Sequence, residues 1–224
     1  MTPDKKTIAD LRPGDIGFGP IHGGAGLLVG LGQLALLEGF RVGPLSIRHV
    51  FVVTDAFDYR SDGQRQVMAV EAEPGGARIA GVNERWTNEY AYVRLPEDYP
   101  GQAGDAAAIA RAMIGTPYSF ASYGALALWR MGWKTPRLER WIGRTGAKTV
   151  YGLKDKSAQL GGQQGGKVIL TPCEAICSVL ADQAWSLTGK KIMQGVAHQC
   201  VTPGALARTL LSYPGAEWIW PGIS

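Results

Sequence analysis

The stretch Arg48-His-Val-Phe-Val-Val-Thr54 is β-branched and aromatic almost throughout, which predicts a strand with His49, Phe51 and Val53 on one face. Working outward, Val67-Met-Ala-Val-Glu-Ala-Glu73 reads as a second strand. Pro74-Gly75-Gly76 then marks a turn, with a hairpin return through Ala77–Val82. Tyr90–Leu95 is a further strand, and upstream Leu11–Phe18 reads as a turn feeding a short one. Helical patterns cover 25–38, the Ala-rich Ala103–Ile114 (stopped by Gly115 and Pro117) and Tyr118–Met131. Thr171-Pro-Cys-Glu174 has the form of a capping box and predicts a helix from there to about Leu187. Thr202-Pro-Gly-Ala caps a last helix to about Leu211, and Glu217–Trp220 reads as a final strand. Together these elements predict an α+β fold: a small antiparallel sheet with helices segregated around it.

Composition narrows the function classes. The 224 residues are 46% hydrophobic and 19% charged, which is globular, and show no internal repeat. A formal net charge of +4 is too small to argue for a nucleic-acid partner. The longest apolar run, Ala25–Leu37, falls short of the roughly 20 residues a spanning helix needs, so no transmembrane segment is expected. Met1–Asp15 lacks the apolar core of a secretory signal, which leads us to expect no signal peptide and a cytoplasmic location. Residues 130–167 differ in character, with nine Lys or Arg against two acidic residues and the Gly/Gln-rich Leu160–Gly166. We read them as a basic insertion, at about 130–170, in a single domain spanning 1–224. The insertion is expected to hold a short helix, Arg137–Ile142, and a flexible loop. It is either a solvated face or the contact to an anionic surface.

The chemistry rests on few residues. Three cysteines, Cys173, Cys177 and Cys200, make a poor disulfide framework. A cysteine in the first turns of a helix is favoured as thiolate, because the helix N-terminal N–H groups and macrodipole stabilise negative charge there. An imidazole activates such a thiol, and a third polar group orients the imidazole. His49 sits beside Val50 and Phe51, and Glu71 between Val70 and Ala72, so both are polar groups on apolar strands facing a helix with a cysteine. Taken alone, a buried cysteine is more often a small hydrophobe, and a strand histidine is more often simply hydrogen-bonded. Glu73 shares the face of Glu71, so alternation does not choose between them. Cys173-x3-Cys177 with His198-x-Cys200 is the rival, a metal site whose spacing is poor for zinc. Neither phosphate-loop nor zinc-protease signatures occur.

The order of motifs resembles that of circularly permuted NlpC-type, papain-like cysteine hydrolases. Arg12-Pro-Gly-Asp-Ile with Phe18 leads, followed by a helix and the strand of His49. Val70-Glu-Ala72 with Pro74-Gly75, Trp86, Val93-Arg94 and Gly115-Thr-Pro-Tyr-Ser-Phe120 come next. Ile176-Cys-Ser178 and Val201-Thr-Pro203 close the series, which spans nearly the whole chain except about 130–170. The resemblance implies a permuted papain-like topology in which Cys177 is nucleophile, His49 base and Glu71 the third member, with Tyr118 lining the substrate site. It implies acyl transfer without a metal or organic cofactor. The substrate class would be a peptidoglycan stem-peptide amide or an acyl lipid. A softer similarity to actinobacterial phage proteins adds an alternative: a catalytically silent tail or capsid component, which would be virion-associated. Ile176 and Val179 depart from the residues many relatives carry there.

Overall fold

The computed structural model describes residues 6–21, 41–42, 45–57, 66–73, 75–99, 101–118, 176–196 and 201–221. The expected helices at 25–38 and Tyr118–Met131, and the basic insertion, lie outside these residues apart from Tyr118 itself. In chain order the strands are β1 (Ile16–Gly19), β2 (Arg41–Val42), β3 (Leu45–Ser46), β4 (His49–Phe57), β5 (Gln66–Glu73), β6 (Gly76–Gly81), β7 (Ala91–Arg94) and β8 (Glu217–Ile219). The helices are α1 (Ala103–Ala112), α2 (Cys177–Ser186) and α3 (Pro203–Leu211). One-turn 3-10 segments cover Ile8–Asp10 and Asn83–Arg85. The fold is α+β. Six strands form one sheet in the order β6-β5-β4-β1-β7-β8, antiparallel throughout, and β2 pairs with β3 separately.

Each face of the sheet buries its own core, as period-two alternation requires. One face presents Ile16, Phe18, Val50, Val52, Val70, Ala72, Ala91 and Val93 to all three helices, which contribute Ala106, Ala110, Leu180, Ala184, Trp185 and Leu206 among others. The other face carries Phe51, Val53, Ala69 and Tyr92, closed over by Leu11, Val82 and the partly buried Ile8 and Trp86. β1, Ile-Gly-Phe-Gly, shows why both faces fill. Its apolar side chains point to the helices, while Gly17 lies opposite both Phe51 and Tyr92. A Cβ on Gly17 would stand 2.1 Å from the Phe51 ring, and one on Gly19 would stand 2.2 Å from the Tyr90 ring. The glycines are spaces for the aromatic rings of neighbouring strands. Gly19 pairs with His49, which stands at the first position of β4.

The hairpin between β5 and β6 sets the register that matters for the site. Glu73 faces Gly76, and counting outward pairs Glu71 with Arg78. On the other side Glu71 faces Phe51 of β4. The free edge of β6 is covered by the segment after α1: Ala77 donates its N–H to the Thr116 carbonyl at 2.8 Å, and Gly115 donates back to the Ala77 carbonyl at 2.8 Å. A side chain on Gly76, at φ +106°, would press on that same Thr116 carbonyl.

The start of α2 differs from the sequence expectation. The capping pattern Thr171–Glu174 lies outside the described residues, but Ile176 is extended (φ −102°, ψ 162°) and the helix begins at Cys177. Ile176, the residue before the helix, packs with Val179, Ile21 and Tyr118. α3 begins as expected, with the Thr202 hydroxyl accepting the N–H of Ala205 at 3.2 Å.

Candidate active site

Cys177 is therefore the first residue of its helix, not a member of a second turn. The N–H groups of a first helical turn have no partner within the helix, and Ile176 at the cap supplies no side-chain acceptor for them. The helix start is anchored by Ser178, whose buried hydroxyl donates to the Val201 carbonyl at 2.7 Å. Further along, buried Asp182 accepts the N–H of Met193 at 3.0 Å. The thiol itself is 3% exposed and unpaired with any other cysteine.

His49 and Glu71 meet directly. The ring Nε2 lies 2.7 Å from Glu71 Oε2, and both side chains are buried. With Nε2 engaged, the nitrogen left to the thiol is Nδ1, which is buried and has no hydrogen-bond partner among the described residues. Burial alone would push the imidazole pKa down. The neighbouring Cys177 and the hydrogen-bonded, charged Glu71 outweigh it and raise the pKa to about 9. Burial likewise opposes ionisation of Glu71, but His49 and Arg85 hold its carboxyl down at about 2.

Glu71, the expected third member, has a shell that the sequence did not disclose. Arg85 grips Glu71 with both arms of its guanidinium, Nη1 to Oε2 at 2.5 Å and Nη2 to Oε1 at 2.8 Å. Arg78, opposite on β6, reaches Oε1 at 3.1 Å and Glu73 at 2.6 Å. Arg85 is placed by its surroundings. Tyr92 donates its hydroxyl to the Arg85 carbonyl at 3.0 Å, Val67 donates its N–H to the Asn83 side chain at 3.1 Å, and the guanidinium lies 5.2 Å from the Phe51 ring centre. Counting out from the Pro74-Gly75 turn could have found Arg78. Nothing periodic announces Arg85, which arrives on a 3-10 turn.

The two glutamates now part. Glu71 has no exposed surface, whereas the Glu73 side chain is 36% exposed and pairs with the exposed Arg78. Tyr118 stands partly buried against Ile176 and Val179, at the end of the segment that covers β6, so it flanks the start of α2. Cys177, His49 and Tyr118 thus lie at one helix end, and Glu71, on the sheet face that carries Phe51, joins them through His49.

His49, Glu71 and Glu73 also offer donor atoms within 4.8 Å of one another, a spacing that suits a metal. Their oxygens already face Arg85 and Arg78, so a divalent cation there would confront two guanidinium groups. The donor set fits ion pairs. Of the alternative Cys173, Cys177, His198 and Cys200 set, only Cys177 falls within the described residues. Among those residues no helix is long and apolar enough to cross a membrane. Comparison with protein-family models, with curated proteins and with solved structures found no match in any of the three.

Proposed function

We propose that the chain is a cysteine hydrolase of the circularly permuted NlpC-type, papain-like class, working by acyl transfer. One observation carries this reading: Cys177 heads a helix that abuts His49, whose far nitrogen is held by a buried, ionised Glu71. The order His49 before Cys177, with the nucleophile on a helix and the base on the sheet, supports the permuted topology. Nδ1 of His49 takes the Cys177 proton, and the thiolate sulfur attacks the carbonyl carbon of an amide or ester. The proton returns from the ring to the departing amine or alcohol as the carbon–heteroatom bond breaks, leaving a thioester. Water, deprotonated by the same nitrogen, then releases the acid and the free thiol. The N–H groups of the first turn of α2, which have no partner within the helix, suit the oxyanion, a contribution worth about 10²–10³ in rate. None of these steps needs a metal or organic cofactor.

The favoured substrate is a peptidoglycan stem-peptide amide, with an acyl-lipid ester as the other class, and the basic stretch 130–167 is suited to an anionic surface. Burial of the thiol favours a second reading, a structural tail or capsid protein of a phage that keeps the fold without turnover. The two separate on one measurement: alkylation by iodoacetamide at neutral pH, followed by peptide mass spectrometry. An enzyme alkylates at Cys177 well ahead of Cys173 and Cys200, and releases product from a panel of stem peptides and acyl lipids. Equal labelling of the three with no product favours the structural protein.

A further inference from the structure

Glu71 is a buried carboxylate shared between a histidine and an arginine, and that sharing decides where a proton can sit. In an isolated buried His–Glu pair the proton has two comparable homes, because desolvation penalises the charged ring and the charged carboxylate alike. Here a guanidinium, which does not deprotonate in proteins, spans both Glu71 oxygens at 2.5 and 2.8 Å, one of them the oxygen that meets Nε2. We propose that Arg85 is a positioning residue of this site: it keeps the proton of the His49–Glu71 pair on Nε2, so that Nδ1 alone exchanges a proton with Cys177. The inference rests on the hydrolase reading for its consequence, but its first test does not.

The geometry allows Arg85 little else. Its side chain is 17% exposed, packs over Phe51, and among the described residues pairs with the carboxylate of Glu71 alone. The charged and titratable groups around the pair are Cys177 from α2, Arg78 from β6, Glu73 from β5 itself, and Arg85 with Tyr90 from the turn beyond β6. Arg78 reaches a single Glu71 oxygen, is divided between two glutamates and is half exposed. Among the described residues Arg85 is the cation that holds Glu71 at two points. It fixes the carboxylate plane, and with it the direction in which the imidazole is held.

Two measurements on the full chain test this. In the wild type, ¹⁵N chemical shifts of the His49 ring above pH 9 should show the neutral ring protonated at Nε2. A neutral ring protonated at Nδ1 would overturn the assignment whether or not the protein is an enzyme. In Arg85→Met, with folding verified by circular dichroism, the acid limb of the pH profile for Cys177 alkylation should move toward neutrality. The rate at neutral pH should fall about 10–100-fold, by analogy with the loss of outer partners that orient metal-bound histidines. Arg85→Lys, which keeps the charge, should restore most of the acid limb. Arg111→Met, which removes a cation paired with Asp55 far from this network, should leave the profile unchanged. A folded Arg85→Met protein whose profile superimposes on the wild type sinks the proposal. If the wild-type ring is protonated at Nε2 but Cys177 shows no selective reactivity, the hydrolase reading fails and the proton assignment stands.

Discussion

Glu71 and Glu73 stand two residues apart on one strand face, and their surroundings give them opposite fates. Glu71→Gln keeps an acceptor beside His49 but removes the charge that stabilises imidazolium, so turnover should drop by orders of magnitude, as in other triads. It also strands the Arg85 guanidinium in a buried site, so a stability loss of about 3–5 kcal/mol should accompany it. Glu73→Gln breaks only an exposed pair with Arg78, worth about 0–1 kcal/mol, and should leave turnover near wild type. Turnover and thermal melts of the two variants decide the matter, and a crippled Glu73→Gln enzyme would reverse the assignment. Cys177→Ser should abolish hydrolysis with the fold intact, whereas Cys173→Ser should stay active. Loss in both with released zinc would point to the metal site instead.

Elements show what the sequence could disclose and where it fell silent. Strands β4 and β5 were legible because valines, with Phe51 in β4 and Met68 and alanines in β5, crowd around the polar His49 and Glu71, and α3 because Thr202-Pro203 is a local capping signal. Those signals lie within a few residues of one another. The extended Ile176 just before α2 was not legible, because its packing on Ile21 and Tyr118 is a long-range fact. Glu71 could not be told from Glu73, since period-two alternation is blind to Arg85. Two substitutions probe the elements. Thr202→Ala should cost about 1 kcal/mol in urea unfolding, the usual value of a lost N-cap. Gly17→Ala should cost about 1–3 kcal/mol, because its methyl enters the space of the Phe51 ring; an unchanged midpoint would mean the aromatic face is looser than described.

At the scale of the whole molecule, the His49–Glu71–Arg85 cluster ties stability to pH. The His49 pKa rises from 6.5 to about 9 on folding, so its contribution is complete below about 6.5 and fades as pH climbs through 9. The Glu71 pKa falls from 4.5 to about 2, so its contribution is complete above about 4.5 and fades as pH drops through 2. Where these two groups govern the profile, the melting temperature should be highest between about pH 4.5 and 6.5. The alkaline decline should flatten in Glu71→Gln, and a decline unchanged by that substitution would remove the cluster from the explanation. The alkaline limb of turnover should likewise lie near pH 9 and move downward in Glu71→Gln.

Cys177 belongs to the helical layer, and His49 and Glu71, its proposed base and orienting carboxylate, belong to the sheet. Thiol reactivity is therefore a gauge of how firmly the two layers are docked. A small opening at the α2–sheet seam would extinguish it while the Glu71–Arg85 clasp, held wholly within the sheet and its turn, stayed closed. In a urea titration, Cys177 should lose its accelerated alkylation before far-ultraviolet dichroism reports unfolding, because subglobal openings cost less free energy than global ones. Coincident transitions would mean that helix and sheet come apart only when the entire molecule does.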